Sequence, residues 1–111
     1  MKIRAKNGEQ TVDITLPATD MDIQYCMKCI GIEDIVPVCC ISEVWDEPSY
    51  FGFLKGQTVN MDELNFFARR LDGMTEYEKR VVGVYSSETG IREMKQLINL
   101  TYSLQGLSLL T

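Results

Sequence analysis

The sequence has no histidine among its 111 residues, and it has only one tryptophan and three prolines. Without histidine, the chain cannot form the Ser-His or Cys-His pairs on which much nucleophilic catalysis depends. It also has no glycine-rich phosphate loop, no EF-hand pattern and no internal repeat. We therefore expect a binding or structural module, and not an enzyme.

Long hydrophobic runs are also missing, since none approaches the ~20 residues that a membrane span needs. The basic start at residues 1–4 is not followed by the apolar stretch of a signal peptide. The expectation is a cytoplasmic protein with no membrane partner. With 45% hydrophobic and 24% charged residues, the chain fits one folded domain over residues 1–111. It stops directly after an apolar run, which favours a fragment of a longer multi-domain protein.

The charge is acidic and unevenly spread. A net charge of −5 argues against direct binding of nucleic acid, which attracts basic patches. Residues 33–63 carry seven acids against a single base, Lys55. These acids are Glu33, Asp34, Glu43, Asp46, Glu47, Asp62 and Glu63. They form either a solvated edge that keeps the protein soluble or an acidic surface that faces a basic partner.

The four cysteines invite comparison with a zinc site, because two of them form a CxxC pair. Cys39 and Cys40 are adjacent in a predicted strand, where neighbouring side chains point to opposite faces. Cys26 continues the apolar face of a predicted helix, and Cys29 comes late in it, away from the helix N-terminus that lowers a thiol pKa. We expect buried, reduced, structural cysteines, with no metal and no cofactor.

Periodicity and capping signals predict an α+β domain, with about four helices packed on a small, mostly antiparallel sheet. The strands are an N-terminal hairpin at 1–6 and 11–16, a central strand at 36–45 and a C-terminal strand at 107–111. The helix starts are Thr19, Asn60, Thr75 (with Glu78 completing a capping box) and Ile91. Residues 46–58 are expected to form a loop or an irregular hairpin.

Apolar spacing assigns a buried face to each of the last three helices. The predicted faces are Leu64, Phe67, Ala68 and Leu71, then Tyr77, Val81 and Val84, then Met94, Leu97, Ile98 and Thr101. Phe66 falls off the first of these stripes and is expected to meet a second element.

Aromatic residues are dense at positions 45–53, where Trp45, Tyr50, Phe51 and Phe53 occur together. They either close the core over the sheet or form a partly exposed patch that binds a partner.

Several segments resemble the antirestriction protein ArdA family, in the versions carried by mobile elements of Gram-positive gut bacteria. The matching segments are DELNFFARRL at 62–71, the break DGM at 72–74, TEYEKRV at 75–81 and LINLTYSL at 97–104. Leu16-Pro17, followed by a helix ending in Ile30-Gly31-Ile32, is similar to the family's opening. The resemblance implies a DNA mimic, an acidic and elongated homodimer that occupies the DNA groove of type I restriction–modification enzymes. The acids of the middle of the chain would then stand in for phosphates.

The amount of charge departs from that expectation. B-DNA carries one charge per ~1.7 Å, so a domain ~30 Å long replaces roughly 18 charges. This chain has 16 acids offset by 11 bases. Either the acidic array continues in further domains, or the chain is a protein-interaction or structural module of a mobile-element protein. Such a module would use the aromatic segment 45–53 or the helix faces.

Overall fold

The computed structural model describes residues 1–45, 50–91 and 93–104. These residues form a four-stranded antiparallel sheet and four α-helices, which confirms the predicted α+β fold. The elements are β1 (Lys2–Asn7), β2 (Gln10–Thr15), α1 (Asp20–Cys29), β3 (Val38–Trp45), a 3-10 turn (Gly52–Leu54), β4 (Thr58–Asn60), α2 (Met61–Asp72), α3 (Glu76–Thr89) and α4 (Met94–Leu104). No helix in this part of the chain is long and apolar enough to cross a membrane. The predicted strand at 107–111 lies outside the described residues.

The sheet has the strand order β2-β1-β3-β4. Asn7 pairs with Gln10, so β1 and β2 are joined by a two-residue loop whose first residue, Gly8, has a φ of 63°. β3 pairs with β1 on one side and with the short strand β4 on the other. The segment 46–58, expected to be a loop or an irregular hairpin, leads into β4, which starts at the last residue of that segment.

A β-bulge interrupts the pairing of β1 with β3. Arg4 pairs with Glu43 and Ala5 with Ile41, which leaves Ser42 as the extra residue. The Ser42 hydroxyl donates a hydrogen bond to the Arg4 carbonyl at 3.3 Å. Beyond the bulge the alternation is shifted, so Glu43 and Trp45 lie on the outer face of the sheet, opposite the core.

Neutral side chains cap the first three helices. The Thr19 hydroxyl accepts a hydrogen bond from the Asp22 N–H, and the Asn60 side chain accepts from the N–H groups of Asp62 and Glu63. Thr75 and Glu78 form a reciprocal capping box at the start of α3. These three predicted helix starts are confirmed.

The core lies between the inner face of the sheet and the helices, and it includes Ile3, Ala5, Ile23, Met27, Leu64, Phe67, Val82 and Leu97. The predicted face of α2 is confirmed, because its four residues are all buried. On α4, Met94, Leu97 and Thr101 are also buried. That helix begins three residues later than predicted, since the Ile91 N–H donates to the Ser86 carbonyl at 3.1 Å and so helps to end α3.

The predicted buried face of α3 is wrong. Tyr77 and Val84 are 52% and 46% exposed, and Val81 is half-buried. The residues that α3 buries are Glu78, Val82, Gly83 and Ser86. The helix passes so close to Tyr50 that a Cβ added at Gly83 would lie 2.7 Å from the Tyr50 Cβ. Small side chains therefore face inward, and the larger apolar ones remain at the surface.

Candidate interaction surface

A groove of about 630 Å³ runs between α1 and α2 and is bordered by residues 32–37. Hydrogen bonds hold its two ends. At one end the Asn65 side chain accepts from the Ala18 N–H at 2.8 Å and donates to the Ala18 carbonyl at 2.9 Å. At the other end the Met61 N–H donates to the Pro37 carbonyl at 2.8 Å. The start of α1 thus lies beside the middle of α2. We call this feature the α1–α2 groove.

The bottom of the α1–α2 groove is apolar. Ile23, Met27 and Ile32 line it and are buried. Phe66 also lines it and remains 41% exposed. Phe66 was expected to meet a second element, and it instead borders the groove that separates α2 from α1. Ile35, on the bordering segment, is 98% exposed. Two large apolar side chains therefore face solvent at the groove without being covered by the described residues.

Four exposed carboxylates line the same groove, those of Asp20, Glu33, Asp34 and Asp62. Asp20 has one loose ion pair, with the Arg69 guanidinium at 3.8 Å. Within the described part of the chain, no ion pair involves Glu33, Asp34 or Asp62. Lys28 and Arg69 are the cationic residues among those that line the groove. The acidic excess is therefore concentrated where residues 33–34 meet the start of α2.

The structure thus brings together three of the seven predicted acids, Glu33, Asp34 and Asp62. It adds Asp20, which is not among the seven predicted acids. Asp20 and Asp62 are 42 positions apart in the sequence, and no local pattern predicts that both line one groove.

The remaining predicted acids do not join this group. Glu43 lies on the outer face of the sheet, where Lys55 approaches it to 3.1 Å, so its inclusion in one acidic surface is corrected. Glu63 is half-buried on α2 and does not line the groove. Asp46 and Glu47 lie outside the described residues.

The outer face of the sheet is a paired patch and not an acidic one. Trp45 is 40% exposed, with the Lys2 Nζ 5.4 Å and the Arg4 Cζ 5.1 Å from its ring centroid. Arg4 also binds the Asp13 carboxylate through two hydrogen bonds, of 2.7 and 3.2 Å. This hydrogen bond to Arg4 lowers the pKa of Asp13 below its ordinary value. Both acids named on this face, Asp13 and Glu43, are therefore already paired with cations within the protein.

The aromatic segment mainly closes the core. Phe51 is 3% exposed and packs edge-on against Phe67, with ring centroids 5.5 Å apart. Tyr50 and Phe53 are half-buried and pack against the same cluster. The ring of Phe51 therefore has almost no surface to offer a partner in this structure.

The four cysteines are free thiols in different environments. Cys39 is buried, Cys26 and Cys40 are half-buried, and Cys29 is exposed, which corrects the expectation that all four are buried. Burial raises the pKa of Cys39 to about 11, and it also raises the pKa of Cys26. Among the described residues, no group of three or more His, Cys, Asp or Glu side chains is placed to hold a metal ion.

These environments predict the order in which the cysteines react. With iodoacetamide at about pH 8, Cys29 should be alkylated first and Cys39 last. A thiol with a pKa of about 11 is only about one part in a thousand thiolate at that pH. Peptide mass spectrometry over a time course measures the order, and urea-unfolded protein, in which all four should react alike, is the control. Equal rates for Cys29 and Cys39 in the folded protein would contradict the burial of Cys39.

The side chains of the α1–α2 groove combine charge with apolar surface. The described residues that line it include carboxylates, amides, two cations and apolar side chains, but no serine, threonine, cysteine or tyrosine. It therefore offers a partner both charged and apolar contact. No protein-family model, curated protein or solved structure matches this chain.

Proposed function

We propose that this domain is a non-enzymatic antirestriction-type protein that acts in the cytoplasm as an acidic mimic of DNA. Its partner would be the basic DNA-binding cleft of a type I restriction–modification enzyme. The observation that carries the proposal is that Glu33, Asp34 and Asp62 line one groove, are exposed and have no ion pair among the described residues. The resemblance of residues 62–81 and 97–104 to the ArdA family supports the same function.

The helix caps explain why these carboxylates are available. A first-turn acid often serves its own helix by accepting hydrogen bonds from the free N–H groups. Here Asn60 accepts those bonds for α2, and Thr19 does so for α1. The carboxylate of Asp62 is therefore free to accept hydrogen bonds from lysine or arginine of a partner, as DNA phosphates do, whereas that of Asp20 also faces Arg69 at 3.8 Å.

The proposed mimicry is partial. The described residues extend over 47 × 25 × 23 Å, and the acidic cluster occupies one side of that body. A few carboxylates would replace a few phosphates, while Asp13 and Glu43 on the outer face of the sheet are already paired with Arg4 and Lys55. Such a mimic would engage a limited part of a DNA-binding cleft, and a second copy in a homodimer would extend it.

A protein-interaction module without DNA mimicry is the second candidate. It is favoured by the exposure of Ile35 and Phe66 in the same groove, since DNA mimicry by charge alone has no use for apolar contact. Binding of that kind would persist at high salt, whereas charge mimicry would not.

The test is a titration of the domain against a purified type I methyltransferase bound to fluorescent duplex DNA, at about 50 and about 200 mM salt. We expect DNA displacement at the lower salt that fades at the higher one, and no binding of the domain to DNA itself. Unlabelled duplex is the positive control for displacement. A domain that displaces nothing at either salt, while the duplex competes, would overturn the proposed function.

A further inference from the structure

We propose that the α1–α2 groove binds a short basic amphipathic helix of the partner protein, with its apolar face down and its basic residues over Glu33, Asp34 and Asp62. This inference rests on the proposed function, because it names the element of the basic partner that the acidic groove would take. It adds an apolar contact, which recognition by charge alone does not include.

The shape of the groove suits a helix. Its walls are one face of each helix, residues 20, 23, 24, 27 and 28 on α1 and residues 62, 65, 66 and 69 on α2. At 1.5 Å per residue, the α2 wall from 62 to 69 is roughly 10 Å long, or about two helical turns. Because residues of both α1 and α2 line it, the groove offers a third helix a wall on each side.

The apolar residues supply the contact that such a helix needs. Amphipathic helices dock through side chains spaced three or four positions apart, which reach into an apolar groove. Ile23, Met27 and Ile32 form the bottom of the groove but are themselves buried, so the apolar contact comes from Phe66 and Ile35, which stand exposed beside them. A docked helix would remove both of these side chains from water.

The charges of the groove determine which helix fits. At one end, Arg69 is held by the Ala18 carbonyl at 3.0 Å and faces Asp20 at 3.8 Å. At the other end, Glu33, Asp34 and Asp62 have no ion pair among the described residues. A helix would place lysine or arginine and its own positive N-terminal dipole at this second end. An acidic peptide or a nucleic acid would be repelled there.

The probe is a synthetic 14-residue helical peptide with leucines on one face and lysines in its N-terminal half. Two controls keep the leucines, one with glutamate in place of lysine and one with the lysines in the C-terminal half. Titrated into ¹⁵N-labelled domain, the first peptide should shift the amide resonances of residues 20–37 and 62–69. The lysine-to-glutamate peptide should not bind, and the reversed peptide should bind more weakly.

Variants of the protein separate the groove from other exposed apolar residues. The double variant Ile35→Ser with Phe66→Ala should lower the peptide affinity about tenfold or more. The matched control, Met21→Ser with Tyr25→Ser, removes side chains that are 80% and 70% exposed on α1 and do not line the groove, and it should change little. If the first double variant does not fold, Ile35→Ser alone serves, because that side chain is 98% exposed.

The outcomes for the helix and for DNA mimicry are distinguishable. Resonance shifts elsewhere, equal binding of the glutamate peptide, or unchanged affinity of the Ile35/Phe66 variant would each overturn the helix-binding inference. If the wild-type domain displaces DNA from the methyltransferase but the peptide does not bind, mimicry stands and the inference fails. If the peptide binds as expected and no DNA is displaced, the groove binds a basic helix as inferred, and the proposal that its partner is a restriction enzyme fails.

Discussion

Neutralising Glu33, Asp34 and Asp62 together, as Glu33→Gln, Asp34→Asn and Asp62→Asn, should lower the affinity for a type I methyltransferase by about tenfold or more at low salt. These carboxylates lie together at one end of the α1–α2 groove and have no ion pair among the described residues, so each is free to meet a partner's cation. The measurement is the DNA-displacement titration, with the midpoint compared between variant and wild type.

The control triple removes the same amount of charge from other surfaces. Glu9→Gln, Asp72→Asn and Glu88→Gln replace exposed acids that do not line the groove. If position decides the effect, this variant should compete nearly as well as the wild type. If both triples weaken displacement equally, net charge alone drives binding and the groove has no special role. Asp62 also favours the start of α2 by roughly 0.3–1 kcal/mol, so thermal unfolding must accompany the titration.

The contrast between the two faces of the molecule supports the choice of those acids. On the outer face of the sheet, Arg4 is held by Asp13, and Glu43 is held by Lys55. A partner that uses those acids must first break contacts within the protein, which reduces the net gain. A partner that binds Glu33 and Asp34 has no ion pair of theirs to break among the described residues. The same number of carboxylates therefore contributes more to binding at the groove than on the outer face.

Local signals were enough to predict much of the fold. Asn60 and Thr75 start their helices as predicted, because an N-cap depends on side chains within three residues. Period-two alternation likewise predicted the strands of the β1–β2 hairpin, and the apolar run at 36–45 predicted β3. Neither pattern could predict the bulge at Ser42, since nothing in the residue types of this strand distinguishes the extra residue. Glu43 was grouped with the other acids by its position within residues 33–63, which says nothing of the face of the sheet on which it lies.

The candidate groove was only partly predictable for a related reason. Glu33 and Asp34 are adjacent in sequence, but their meeting with Asp62 depends on how α1 and α2 pack. The hydrogen bonds that set this packing, between Ala18 and Asn65, join residues 47 positions apart. An asparagine on a helix gives no sign of so distant a partner. Composition could therefore find the acidic stretch, whereas tertiary contacts decide which of its members act together.

The buried face of α3 was predicted wrongly for a different reason, and that reason leads to a stability prediction. Hydrophobic periodicity assumes that the largest apolar side chains face inward. On α3 the inward face instead includes Gly83, because the helix packs directly against the backbone of Tyr50. Glycine inside a helix normally costs about 1 kcal/mol relative to alanine, so close packing must offset that cost here.

Gly83→Ala should therefore destabilise the fold, although the same change in an open helix stabilises it. An added Cβ would lie 2.7 Å from both the Cβ and the carbonyl oxygen of Tyr50. Tyr50 cannot easily withdraw, because the next residue, Phe51, is buried against Phe67. Overpacking of this kind costs typically 1–3 kcal/mol, which thermal or urea unfolding measures directly.

Gly73→Ala is the matched control. Gly73 ends α2 with a φ of −87°, and its nearest neighbour to an added Cβ is the Arg70 carbonyl oxygen at 3.7 Å, an ordinary contact. Its replacement should change the free energy of unfolding by less than about 0.5 kcal/mol. If Gly83→Ala proved as neutral as Gly73→Ala, or stabilised the protein, α3 could not pack on Tyr50 as described. The exposure of Tyr77 and Val84 would then need another explanation, because the close approach is what turns the small residues of α3 inward.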